Sequence, residues 1–246
     1  MKKVVLVTGA SKGIGKAIAI RFAKAGYSVV VNYNSDEAGA LATLEEVNKY
    51  SDGIIVKSDV SKENDINNMY KTIMDKYNAI DVLVNNAGIG FDSNVNEKTF
   101  EGFNKVLNTN LVGPFFLSRL VGNHMLENKK GAIINIASTN GLDTLSPFSL
   151  EYDASKAGLI SLTHNLAEYY APCVRVNCVC PGWVNTPMTK DIDSEYRASE
   201  LSKIKLGRFA EPEEIANVVY FLASDEASYV NDSIIRVDGG EIAWWM

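Results

Sequence analysis

The chain has 246 residues, 46% hydrophobic and 22% charged, which fits one domain of the larger single-core kind and leaves no room for a second of ordinary size. Its formal net charge is −6, with lysine and arginine scattered along the sequence, so the clustered basic footprint of a nucleic-acid binder is missing. No run reaches the ~18 apolar residues of a membrane span, and the start, MKKVVLVTG, lacks the long apolar region and cleavage site of a secretion signal, so a cytoplasmic protein is expected.

The first apolar run, VVLV at 4–7, is followed by TGASKGIG at 8–15 and a helix-like stretch over 13–25. Glycines where a strand becomes a helix allow a tight turn, close approach by a pyrophosphate and contact between helix and strand. The helix start adds backbone N–H groups and a positive dipole end. Gly9, Ser11, Lys12, Gly13, Ile14 and Gly15 therefore read as a dinucleotide phosphate site, with the spacing G-x-x-x-G-x-G. The second strand, 29–31, runs into Asn32-Tyr33-Asn34-Ser35 ahead of a helix over 36–49. An NAD site offers an acid to the ribose 2′-hydroxyl about 20 residues past the glycines. Here no acid precedes Asp36 and Glu37, while Lys12 supplies a cation, so Tyr33, Asn34 and Ser35 together with Lys12 favour NADP(H).

A third strand, 53–56, leads through Asp59-Val60 to a helix over 63–77, its start marked by Ser61 ahead of Asn64, Asp65 and Ile66. The fourth, 80–84, ends in Asn85-Asn86-Ala87-Gly88. A long helix, 99–127, then carries Asn110 in its middle, where asparagine is a poor helix former unless its side chain has a task. The fifth strand, 132–137, ends at Ser138, whose hydroxyl can donate to a carbonyl oxygen at the carboxyl edge of the sheet, where ligands bind in such folds.

YDASK at 152–156 opens a helix over 152–170 and sets Tyr152 and Lys156 one turn apart on one face. A free phenol holds its proton too tightly to exchange it near neutrality. A desolvated ammonium beside it stabilises the phenolate, and a depression of roughly two to three pKa units asks the lysine and a cationic nicotinamide together for about 3–4 kcal/mol. The sixth strand, 174–180, leads to Pro181-Gly182-Trp183-Val184-Asn185-Thr186. Residues 186–212, polar and charge-rich, read as an irregular stretch and a candidate substrate lid. Pro212-Glu213-Glu214 starts a helix over 212–223, and 234–237 is a seventh strand.

Near-continuous apolar strands alternating with crossover helices predict an α/β fold, a doubly wound seven-stranded parallel sheet flanked by helices in one Rossmann domain over 1–246. Cys173, Cys178 and Cys180 read as small core residues of a reducing compartment. With only His124 and His164 besides, neither near them, no metal site is expected.

Jointly, TGASKGIG, Asp59-Val60, NNAG at 85–88, Asn110, Ser138, YDASK, PGWVNTPM at 181–188 and VDGG at 237–240 resemble a short-chain dehydrogenase/reductase over essentially the whole length. The resemblance implies an oxidoreductase acting on CH–OH and C=O groups, with Tyr152 as general acid in carbonyl reduction and base in alcohol oxidation. Ser138 would orient the carbonyl, Lys156 would lower the tyrosine pKa and hold the nicotinamide ribose, and Asn110 would keep a water in a proton relay reaching Lys156. Asp59 and Val60 would contact adenine, Asn86, Ala87 and Gly88 the adenosine side, and Pro181, Gly182, Val184 and Thr186 the nicotinamide carboxamide. Lys12 falls where a basic residue accompanies NADP preference, and Tyr33 where NAD-preferring members carry an acid. A homotetramer is implied, with the helices around 99–127 and 152–170 across one interface and the C-terminal region across another.

In overall look the chain is similar to the 3-oxoacyl-acyl-carrier-protein reductases of bacterial fatty-acid synthesis, which dock an acidic carrier through basic residues near the active-site mouth; Lys129 and Lys130 are the candidates here. Ala171-Pro172-Cys173, where such enzymes tend to show an arginine, and the ending Ile242-Ala243-Trp244-Trp245-Met246 are unlike them. A reductase or dehydrogenase of a free sugar, polyol or small ketone therefore stays open, as does a non-catalytic NADP(H)-binding regulator, although nothing in cofactor binding alone requires Ser138. Asn231-Asp232 replaces the usual Thr-Gly of the last turn, and Asp tolerates left-handed backbone. The Trp244-Trp245 pair is expected at an interface or a substrate entrance.

Overall fold

Val4–Val7 is buried along its whole length and forms β1, a central strand of a computed structural model that describes residues 2–143, 146–190 and 192–242. Successive side chains of a strand point to opposite faces. Val5 and Val7 enter one core with Ala17, Ile18 and Phe22 of α1 (Gly13–Lys24) and Ile215, Val219 and Leu222 of α8 (Pro212–Ala223). Val4 and Leu6 enter a second core with Ile66, Met69 and Ile73 of α3 (Glu63–Tyr77) and Leu117, Val121 and Met125 of α5 (Gly113–Glu127). A strand with a core on each face has no polar side, which is why the run reads as continuously apolar.

The remaining strands are β2 (Ser28–Tyr33), β3 (Gly53–Lys57), β4 (Val82–Asn85), β5 (Gly131–Ile136), β6 (Val174–Pro181) and β7 (Ile234–Val237). They form one sheet in the order β3-β2-β1-β4-β5-β6-β7, with every neighbouring pair parallel. This is the doubly wound Rossmann arrangement. The winding reverses between β1 and β4, where a crevice opens beyond the carboxyl ends of the strands. Asn85 and Asn86, adjacent in sequence, face opposite ways there. Asn85 Nδ2 donates to Ser118 Oγ at 2.9 Å and Asn135 Oδ1 at 2.8 Å inside the core, leaving Asn86 for the crevice.

The helices depart from the sequence expectation in three places. Residues 99–127 form α4 (Phe100–Leu107) and α5, joined by a π-helical turn, Asn108–Val112, that contains Asn110. The cap of α3 is Lys62 in extended backbone, because the Ser61 hydroxyl is engaged by the Asp59 carboxylate at 2.6 Å. The stretch 186–212, read as irregular, holds α7 (Ser194–Lys203), capped by Asp193, whose carboxylate accepts from the Glu195 and Tyr196 amides. Glu200 is the one fully buried residue of α7, so no apolar stripe announced it. By contrast α8 begins as read, with Pro212 in its first turn and a reciprocal Glu211–Glu214 capping box.

The remaining helices are α2 (Glu37–Asn48) and α6 (Leu150–Tyr170), and no described helix is long and apolar enough to cross a membrane. Asp232 sits at φ +57°, the left-handed backbone anticipated for that turn. Cys178 and Cys180 are buried with their sulfurs 3.9 Å apart, and Trp244 and Trp245 lie outside the described residues.

Helix α5 crosses the end of α6 at Gly122. A Cβ there would stand 2.4 Å from Tyr170 Cζ and 2.7 Å from its hydroxyl. Tyr170 is buried and donates to the Ser118 carbonyl, so its ring has nowhere to retreat. In an open helix Gly→Ala stabilises by about 0.5–1 kcal/mol. Here Gly122→Ala is expected to destabilise by about 1–3 kcal/mol through overpacking, and urea denaturation of the two proteins checks the sign.

Candidate active site

The glycine turn owes its shape to how closely β1 and β4 deliver their ends. Gly9 and Gly13 stand at φ +61° and +56°, in left-handed backbone. A Cβ on Gly9 would lie 2.9 Å from Ala87 Cα, and one on Gly15 would lie 2.4 Å from the Gly9 carbonyl oxygen. Thr8 Oγ1 accepts from the Asn86 and Ala87 amides at 2.9 and 3.0 Å, and Asn86 Nδ2 donates back to the Thr8 and Gly9 carbonyls at 2.8 and 3.1 Å. From the other side Asn32 accepts from the Gly9 amide at 3.2 Å, and its Nδ2 donates to the carbonyls of Val56 and Ser58. The sequence reading passed over Asn32, although a lone polar residue inside an otherwise apolar strand was a legible signal.

These contacts frame a cleft of about 520 Å³. It gathers Gly9, Ser11 to Gly15, Tyr33 to Ser35, Asp59, Val60, Asn86 to Gly88, Ser138, Tyr152, Lys156, Pro181, Gly182, Val184 and Thr186. Of the catalytic and cofactor-binding candidates named from sequence, Asn110 alone is not part of the lining. No side chain caps the start of the twelve-residue helix α1, so its first amides face the cleft without a side-chain partner among the described residues. Such a cradle, too tight for any Cβ at Gly9 or Gly15, fits a dinucleotide pyrophosphate.

Lys12 lies exposed at the cleft with Asn34 and Ser35. Asp36 also borders it, but its carboxylate accepts from the Gly39 amide at 2.9 Å as the cap of α2. Burial would push the Asp59 carboxyl up, yet hydrogen bonds from Ser61 and the Lys62 charge outweigh it and leave Asp59 below the usual carboxylate range. The loop after β6 passes over the glycine turn, with Thr186 Cβ 3.5 Å from where a Cβ on Gly13 would stand.

Three side chains meet in the same cleft. Lys156 Nζ donates to the Ile136 carbonyl at 2.8 Å and lies 5.5 Å from the centroid of the Tyr152 ring. Burial drives the lysine pKa down to about 8. Ser138 accepts from the Asn140 amide and hydrogen-bonds the Tyr152 phenol. The side chains alone do not give the depression of the phenol pKa anticipated with a cationic nicotinamide beside it. Burial raises it, Asp153 adds to the rise, and the hydrogen bond from Ser138 only partly opposes them. Desolvation penalises the phenolate as it penalises the ammonium, so these side chains by themselves do not make a low-pKa tyrosine.

Asn110 stands behind the cleft wall. Its Oδ1 accepts from the Ile89 amide at 2.9 Å, and its Nδ2 donates to the Ile89 carbonyl at 2.8 Å and to Ser155 Oγ at 3.0 Å. Lys129 and Lys130 require a correction. They immediately precede β5, at the amino ends of the strands, whereas the cleft lies beyond the carboxyl ends, so they do not flank its mouth. Phe91, Lys105 and Met188 do border the cleft and were not named as site residues from sequence: Phe91 lies in an irregular loop, Lys105 read as one more helix residue of 99–127, and Met188 closed the PGWVNTPM motif without a role of its own.

A family model described as Enoyl-(Acyl carrier protein) reductase matches residues 9–241. The chain belongs to the short-chain dehydrogenase/reductase family. It is 40% identical over 244 residues to the 3-oxoacyl-acyl-carrier-protein reductase FabG of Thermotoga maritima, covering 97% of each chain. It is also 40% identical over 244 residues to Glucose 1-dehydrogenase 2 of Bacillus subtilis, covering 97% of this chain and 94% of that one. A solved structure described as a short-chain alcohol dehydrogenase of Sinorhizobium meliloti superposes with a TM-score of 0.93 at 32% identity, covering 98% of both chains. Members of this oxidoreductase family bind a nicotinamide cofactor.

An ammonium that loses its proton near pH 8 when folded keeps it to about 10.5 when unfolded. Below about pH 8 the folded chain therefore bears the full burial penalty, about 3 kcal/mol. Through the window from about 8 to 10.5 the unfolded chain binds the extra proton, and stability rises with pH. Lys156→Met is expected to stabilise the dinucleotide-free protein near neutrality by about 2 kcal/mol, the penalty less about 1 kcal/mol for the lost hydrogen bond. The difference should shrink as pH climbs through that window, which urea denaturation at several pH values checks.

Proposed function

We propose that the protein is an NADPH-dependent reductase that converts a ketone, of the 3-oxoacyl thioester kind or similar, to a secondary alcohol. The observation that carries this reading is the convergence of Ser138, Tyr152 and Lys156 on one cleft beside the glycine turn. Bound NADPH supplies the hydride. Ser138 Oγ holds the substrate carbonyl by its oxygen, and the Tyr152 phenol, already hydrogen-bonded to Ser138, gives that oxygen its proton. Lys156 offsets the phenolate charge left behind and holds the nicotinamide ribose. The raised pKa of Tyr152 suits a group that must stay protonated until the oxygen needs the proton, and the nearby ammonium offsets the charge only afterwards.

Lys156 Nζ and Asn110 Oδ1 both approach Gly88, 3.4 and 3.5 Å from where a Cβ on it would stand. The closeness of the two polar groups supports a water-mediated proton path to Lys156 in which Asn110 holds the water. Asp59 and Val60 would hold the adenine, and Pro181 to Thr186 the nicotinamide amide. NADPH over NADH rests on Lys12 with Asn34 and Ser35, on the absence of an acid at Tyr33, and on the engagement of Asp36 in capping α2. Phe91 and Met188, apolar and partly exposed on the cleft wall, favour a substrate with an apolar arm. Exposed Phe100, Val112 and Tyr169 on α4, the π turn and α6 support an assembly through those helices, and the three unpaired cysteines support a cytoplasmic setting.

A second reading, a dehydrogenase of a free sugar or small ketone, is supported by the equal likeness to the B. subtilis enzyme and by the position of Lys129 and Lys130 away from the mouth. Nicotinamide absorbance with acetoacetyl thioesters, sugars and diketones separates the two. Tyr152→Phe is expected to lower turnover on the order of 10³-fold with NADPH affinity nearly intact; surviving activity would show that the acid is misassigned. Lys12→Glu is expected to weaken NADPH far more than NADH in fluorescence titrations, and equal losses would defeat the 2′-phosphate argument.

A further inference from the structure

Lys98 is a largely covered lysine outside every motif described above. Its side chain is 11% exposed, and that of its ion-pair partner Glu151 is 4%. The ammonium donates to Glu151 Oε1 at 2.9 Å, to the Phe148 carbonyl at 2.6 Å and to the Phe91 carbonyl at 3.2 Å, which uses all three of its protons. Glu151 Oε2, 2.8 Å from the same ammonium, has no hydrogen-bond donor among the described residues. The acceptors come from three segments: the loop after β4, the loop before α6, and the first turn of α6. The Ser93 amide adds a bond to the Phe148 carbonyl at 3.0 Å and closes the two loops on each other.

Stability gives little reason to keep such a pair, since replacing a buried ion pair by neutral groups of similar volume is often neutral or stabilising. Its position offers a better one. Tyr152 follows Glu151 directly. Gly90, next to Phe91, packs on the Tyr152 ring so closely that a Cβ would stand 3.1 Å from Cδ2. The Phe91 ring borders the cleft, and Phe148 projects its ring outward, half-exposed, while both backbones are turned toward the lysine. One ammonium thus ties the helix start that presents the phenol to the loop that presents an apolar wall of the cleft.

We propose that Lys98, paired with Glu151, is a positioning residue that fixes the Phe91 loop against the start of α6 and so sets where a bound carbonyl stands relative to the Tyr152 phenol. This rests on the reading of Tyr152 as the proton donor. Lys98→Met alone leaves a buried carboxylate unpaired, and that protein can fail to fold. The decisive variant is Lys98→Met with Glu151→Gln, which removes the clamp without stranding a charge. It is expected to fold and to bind NADPH as the parent does, because the glycine turn is untouched. It should lose kcat for ketone reduction on the order of 10²-fold, well below its unfolding temperature, with hydrogen exchange faster in residues 89–98 and 146–151 and unchanged in 8–15.

Parental kcat and KM in the double variant overturn the proposal, whatever happens to its thermal stability, because a purely structural pair would move stability alone. If the parent itself reduces no carbonyl, the reading of Tyr152 falls separately and hydrogen exchange decides the clamp. Unchanged protection in the two segments overturns it, and faster exchange confined to them upholds it.

Discussion

The stitch between Thr8 and Asn86 is the contact from which the rest of the molecule follows. It joins the ends of β1 and β4 where the winding reverses, and it leaves Gly9 against Ala87 with no room for a side chain. Because the two backbones meet there, α1 starts over the crevice, its uncapped amides aim into it, and the strands to either side deliver their terminal residues to one place. The Asn32 bridge to β3 extends the same device outward. The cleft exists only where the sheet ends meet.

Within that cleft, burial works against ionisation at both ends of the Tyr152–Lys156 pair. A lysine held down near 8 and a phenol held up form a poised couple whose charges become favourable only when an anionic phosphate, a cationic ring or a developing oxyanion arrives. The ligand-free protein thereby carries an unfavourable interaction, which under the proposed function would be relieved when cofactor and substrate bind. Two ammonium groups, one buried and one largely covered, stand around this one tyrosine. Lys156 is held by a single carbonyl, and Lys98 is saturated by two carbonyls and a carboxylate. The first stays available for charge compensation, and the second is spent on geometry.

The corrections to the sequence reading share one cause. Ser61 had the form of a helix cap but was captured by Asp59, two residues away, because the loop folds back there. Asn110 was flagged for the right reason, an amide in mid-helix, yet the π turn that accommodates it depends on α4 and α5 packing around Ile89 and Ser155. Lys129 and Lys130 were grouped with the active-site mouth because the resemblance to carrier-protein reductases calls for basic residues there, and the alternation of strand and helix places them at the opposite end of the sheet.

By itself the sequence determined the seven strands, their parallel arrangement and most of the cleft residues, because continuous Val and Ile runs admit two-faced burial, crossover helices make the strands parallel, and the strand ends carry the motifs; Asn32, Phe91 and Lys105 escaped it. α7 was hidden, since a helix with one buried glutamate leaves no periodic trace. The protonation preferences of Tyr152 and Lys156, and the reach of Lys98 across three segments to Phe91, Phe148 and Glu151, were decided only in the tertiary structure. Desolvation and long-range hydrogen bonding depend on what surrounds an atom in space, and residue spacing along the chain carries no record of that.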